Sequence, residues 1–88
     1  MKTLFLLMAH YDARPIIPLE WVRRDFFCHL DVKKLAAKCT TGEINLPLVR
    51  TDPSSQKSSK GVGIQDLADY LEFRQQAARK ELAQLKSP

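Results

Sequence analysis

The most constraining stretch of this chain is a short helix with both of its ends written into the sequence. Asp31 is a good N-cap, because its carboxylate can accept from the free N–H groups of a first turn. Gly42 stands where a helix is most often closed by a left-handed residue. Between them, residues 32–41 separate into two faces. Val32, Leu35, Ala36 and Cys39 follow i, i+3, i+4, i+7 spacing and turn one way, while Lys33, Lys34, Ala37, Lys38 and Thr41 turn the other. The outer face is basic and small, with no acid on it.

The segment before it is also helical. Residues 18–27 open on Pro18, suited to a first helical turn, and on Glu20, suited to the positive end of the helix dipole. Leu19, Val22 and Phe26 recur at helical spacing and define a buried face, with Arg23 and Arg24 off it. Two short helices across a three-residue break at 28–30, the second presenting a basic face, form a helix-turn-helix pattern.

Residues 44–50 then have β-type character, with Pro47 confining them to an edge or bend, and residues 61–64 supply a returning strand. The polar run 53–60 between them is too long for an ordinary hairpin loop of about 2 to 5 residues. Directly after a helix-turn-helix, such a hairpin is a wing. Gln56, Lys57, Ser58, Ser59 and Lys60 at its tip are donors suited to phosphate oxygens or a minor groove. The expected fold is mainly α with a small β-hairpin: a winged helix-turn-helix, residues 1–88 forming a single DNA-binding domain, plus a long C-terminal helix.

That last helix covers residues 65–86, over about 30 Å of axis, longer than one side of so small a domain. Ile64, Ala68, Leu71, Gln75, Ala78, Leu82 and Leu85 are spaced 4,3,4,3,4,3, a coiled-coil seam with one polar interruption. Its distal part, Leu71, Gln75, Ala78, Leu82 and Leu85, is expected to join two copies of the chain. The alternative is a seam folded back on the chain's own N-terminal segment. Residues 3–11, from a Thr3 cap to Tyr11, read as a short helix with a strand as the other possibility, and their unbroken apolar run reads as buried in either form. Residues 12–15 read as a turn.

Charge points the same way. The formal net charge is +4, and the excess is confined to the middle of the chain. Between Ala13 and Gly63 nine bases stand against five acids, whereas the last helix is balanced. An anionic partner for that middle part follows. The expected DNA contacts are Lys33 and Lys34 at base edges in the major groove, with Lys38, Thr41 and Arg50 at phosphate and residues 56–60 as the wing. Arg23 and Arg24 either touch the backbone or pair with Glu20 and Asp25 as surface ions.

Cys28 and Cys39 form no paired motif and read as reduced, core-filling residues, and the adjacent Cys28 and His29 lack metal-ligand spacing. Trp21, Phe26 and Phe27 read as core. Neither a glycine-rich phosphate loop nor a nucleophile–base pair is visible, so no catalysis and no cofactor are expected. The apolar start imitates a signal peptide without a cleavage site, and no run approaches the ~20 apolar residues of a membrane span. A cytoplasmic protein is expected.

The segments TLFLLMAHY, IPLEWV, GEINLPLVR, QKSSKGV and DLADYLEFR, in this order and nearly end to end, resemble the pyocin activator protein family, PrtN. The central part also resembles the MerR and excisionase type of winged helix. The first resemblance implies a transcription activator that binds double-stranded DNA upstream of bacteriocin (pyocin) genes, acting through RNA polymerase or through promoter shape. A small adaptor or antirepressor that grips another protein, and an excisionase-type recombination directionality factor, are the alternatives.

Overall fold

The computed structural model describes residues 2–51 and 60–86. Helix α1 (Lys2–His10) is followed by strand β1 (Ile16–Pro18), helices α2 (Leu19–Phe26) and α3 (Val32–Thr40), strands β2 (Val49–Arg50) and β3 (Lys60–Gly63), and helix α4 (Ile64–Lys86). The chain is mainly helical, with one small antiparallel sheet in the order β1-β3-β2.

The sheet has one strand more than the expected hairpin. Ile16, Ile17 and Pro18 pair with Gly63, Val62 and Gly61, while Val49 and Arg50 pair with Gly61 and Lys60. Strand β1 is too short to show a period of its own, and Pro18 reads as a helix start because proline suits both roles. Here it ends the strand and stands at the N-cap of α2 with φ −55° and ψ 139°. Lacking an N–H, it is tolerated on an edge strand.

The strand expected over residues 44–50 shrinks to its last two residues. Residues 44–48 pass under α3 as irregular chain, with the Ile44 N–H donating to the Lys38 carbonyl at 3.0 Å and the Leu46 N–H to the Ile44 carbonyl at 2.9 Å. Alternation survives without the ladder: Ile44 and Leu46 are buried, Asn45 and Pro47 exposed. Pro47 cannot donate to a partner strand, so side-chain burial rather than backbone pairing holds this segment.

Every helix contributes to the core. Leu7, Tyr11, Ile17, Leu19, Val22, Phe27, Leu35, Ile44, Leu46, Val62, Leu67 and Ala68 form one cluster, and Val62 of the middle strand is fully enclosed. Trp21 and Phe26 are only half-buried at its margin, and Cys28, expected to fill core, is exposed beyond the end of α2. Cys39 is half-buried, and burial pushes its thiol pKa up.

The N-terminal segment is helical, but its apolar run is not buried as a whole. Leu7 is enclosed and Leu4 half-buried, whereas Phe5 is 65% and Leu6 70% exposed. A nine-residue helix that is apolar all round can lay only one face on its neighbour, here α4. Its C-terminal end is tied to α2. The Tyr11 hydroxyl donates to Asp25 Oδ2 at 2.6 Å, and the same carboxylate receives Arg24 at 2.9 and 3.1 Å and lies 3.2 Å from His10 Nε2. The Tyr11 ring stacks on Trp21 at 6.3 Å, and the Arg14 guanidinium lies 4.7 Å from the Trp21 ring centre. Burial, then the Asp25 hydrogen bond, drives the Tyr11 pKa well above the usual phenol range. The Arg24 guanidinium, helped by Tyr11 and His10, holds the Asp25 carboxyl well below its usual range despite partial burial.

Two outcomes follow from this packing. A Cβ on Gly61 would lie 2.9 Å from the Ile17 carbonyl oxygen and 2.6 Å from Ile16 Cγ2. Gly61→Ala should therefore lower unfolding free energy by about 1–3 kcal/mol, read from urea denaturation; a loss inside experimental error would mean β1 is free to shift. Because the Asp25 pKa is depressed in the folded state, its contribution is complete above the unfolded value of about 4 and is lost as pH falls below it. Asp25→Asn should show a shallower loss of stability from pH 5 to pH 2 than the parent chain, and parallel curves would remove this carboxylate from the account.

Candidate nucleic-acid interface

One side of α3, spanning the edge of its expected buried face and of its outer face, meets the start of α2 and the first residue of β3 around an open groove. Its walls carry Pro18 and Glu20 on one side, Lys33, Ala37 and Thr41 on another, and Lys60 at the sheet edge; Leu19, Val32 and Ala36 line its apolar part. The start of α3 is held as its sequence requires. The Asp31 side chain accepts the Lys34 N–H at 2.7 Å, and Gly42 closes the helix at φ +83°. With both ends fixed, the register of Lys33, Lys34 and Thr41 on the exposed side is fixed too.

The expected contact residues fall into three groups. Lys33, Thr41 and Lys60 share the groove, with Lys34 exposed in the first turn of α3 beside it. Arg50 is exposed and paired in register with Lys60 across β2 and β3. Among the described residues, none of Lys33, Lys34, Arg50 and Lys60 has an acidic partner. These four side chains therefore carry their charge without an ion pair among the described residues.

The second group is engaged within the chain. Lys38 pairs with Glu43, which reaches back from the turn after α3. Arg23 forks onto Glu20 at 2.7, 2.9 and 3.0 Å and also donates to the Leu30 carbonyl at 3.3 Å. That guanidinium holds the Glu20 carboxyl below its usual range. Arg24 is bound to Asp25. Both arginines thus make surface ion pairs in the free chain. The third group, Gln56, Lys57, Ser58 and Ser59, lies outside the described residues.

Reading the chain as a sequence missed the far wall of the groove, Pro18 and Glu20. No spacing relates them to Lys33 or Lys60; β1 pairing with β3 brings them together. The hydroxyls of Thr40 and Thr41 donate to the Ala36 and Lys38 carbonyls at 2.9 and 3.2 Å, which leaves their oxygens as acceptors toward the groove side. No helix among the described residues is long and apolar enough to cross a membrane.

Fold and site together define a small, mainly helical protein in which a three-stranded antiparallel sheet sets a partly apolar groove, carrying Lys33 and Lys60, beside a short, capped helix. The chain belongs to the pyocin activator family: the family model of pyocin activator protein PrtN matches residues 3–78. That span takes in the whole groove and ends before Leu82 and Leu85. No curated protein and no solved structure matches the chain.

The capping arrangement is testable by itself. Asp31→Ala should destabilise the chain by about 1 kcal/mol, measured by chemical denaturation, with Asp31→Ser restoring most of the loss. Equal losses in both variants would show that the hydrogen bond to Lys34 N–H is not what Asp31 contributes.

Proposed function

We propose that this chain activates pyocin genes by binding double-stranded DNA as a winged helix-turn-helix. In this reading α2 and α3 are the two helices of the motif. The first turn and outer face of α3 enter the major groove, and the chain between β2 and β3 is the wing. The observation that supports it is the meeting of Lys33, Thr41 and Lys60 on one groove. Lys60 is the last residue of the serine-lysine run, and its place on the same groove as Lys33 and Thr41 supports a shared DNA-facing surface.

The residue types suit the task. A major groove admits one α-helix, and a lysine in its first turn can reach the O6 and N7 acceptors of guanine. Ala37 keeps the middle of the face small, so the helix can approach closely. Arg50 and Lys60 at the sheet edge are placed for phosphate oxygens, which supply most of the affinity and make it fall with salt. Activation then requires a surface for RNA polymerase or a change in promoter shape.

One observation favours a second reading. Val32 is 38% exposed beside Leu19 and Ala36, and this apolar part of the groove suits a peptide side chain better than a duplex. In that case the chain is an adaptor gripping another protein.

Gel shifts with promoter DNA and random DNA at two salt concentrations separate these readings. Lys34→Ala should cost about 1–3 kcal/mol on the promoter and much less on random DNA. Arg50→Ala combined with Lys60→Ala should weaken binding to both and reduce the salt slope by about 2. Absence of salt-sensitive DNA binding by the folded parent chain would favour the adaptor.

A further inference from the structure

Helix α1 and the second half of α4 leave apolar surface that nothing among the described residues covers. On α1 these are Phe5 at 65%, Leu6 at 70% and Met8 at 37% exposed; on α4 they are Leu82 at 52% and Leu85 at 83%. The two patches are related through one seam. Helix α1 packs on α4. In the first half of α4 Ala68 is buried and Leu71 half-buried. The same 4,3 spacing continues through Gln75 and Ala78 to Leu82 and Leu85, beyond the reach of α1, and there the seam is open. The chain therefore has a stepped profile: a bare stretch of seam, then the same seam raised by the thickness of one helix.

We propose that a second copy of this chain fits that step by a two-fold axis, the distal half of each α4 lying on the outer face of the other copy's α1. Leu82 and Leu85 then meet Phe5 and Leu6 of the partner, and each α1 is enclosed between two α4 helices running antiparallel. The lengths agree. Nine residues make α1 about 14 Å long and 23 residues make α4 about 35 Å, so two α1 helices fit end to end along one α4. The patches, counted on both copies with Ala78 and Ala9, remove on the order of 1,200 Å² of surface from water, the lower bound of a stable specific interface. A parallel coiled coil through the distal seam alone would cover Leu82 and Leu85 and leave Phe5 and Leu6 in water, so it answers only half of the exposure. The interface is isologous, as a closed dimer requires, and it does not depend on the DNA reading.

The test is made without DNA, so its failure leaves the groove reading untouched. The parent chain should show twice the chain mass by light scattering at micromolar concentration. Phe5→Asp and Leu82→Asp, both at exposed positions, should each give a folded monomer by circular dichroism and light scattering. Site-directed cross-linking then fixes the arrangement, on a background of Cys28→Ser and Cys39→Ala. Chains carrying Leu6→Cys mixed with chains carrying Leu85→Cys should form a disulfide-linked pair on oxidation, while neither chain alone cross-links. A monomeric parent, a dimer indifferent to Phe5→Asp, or self-cross-linking by Leu85→Cys chains would overturn the proposal.

Discussion

The close approach of β3 to β1 is the constraint on which the remaining structure depends. Gly61 lies where a Cβ would press on the Ile17 carbonyl, and the neighbouring Val62 is enclosed by the core. With no side chain at 61, the strand can sit flush and form ladders on both sides. That pairing brings the start of α2 beside the start of β3, and α3 packs on α2. The groove exists because these three pieces converge; neither the helix pair nor the hairpin would make it alone.

Charge on the resulting surface is sorted by pairing. Arg23, Arg24 and Lys38 are matched by Glu20, Asp25 and Glu43, which lie near them on the same or adjacent turns. Lys33, Lys34, Arg50 and Lys60 make no ion pair among the described residues, the nearby Asp31 being engaged in capping α3. An unmatched cation at a surface remains available to an anionic partner, whereas a matched one must first break its pair. Two of these unpaired cations, Lys33 and Lys60, line the groove, and Lys34 and Arg50 are exposed beside it or at the sheet edge.

Helix α1 brings the opposite problem, too much apolar surface for one contact. Its Tyr11 end is anchored by the Asp25 carboxylate and the Trp21 ring, and Leu7 seals the core. The outer side has no such use within the chain. Burying it against a second copy would remove Phe5 and Leu6, exposed at 65% and 70%, from water.

Local signals were enough for the existence of α2, α3 and α4. They were not enough for α1, which a strand reading fitted as well, nor for Val32, placed on the buried face of α3 yet 38% exposed. Asp31 and Gly42 mark the ends of α3, the 3.6-residue spacing marks the buried faces of α2 and α3, and the 4,3 repeat marks α4, because caps and periodicity act within a few residues of chain. The pyocin activator resemblance was legible for the same reason, as ordered short segments. Three things were decided only by tertiary structure: the third strand at Ile16–Pro18, the irregular path of Ile44 to Leu48, and the exposure of Phe5 and Leu6. A three-residue strand has no period to read and exists only when β3 offers it a ladder. Whether an apolar face is buried depends on what stands opposite it, and no spacing along the chain records that.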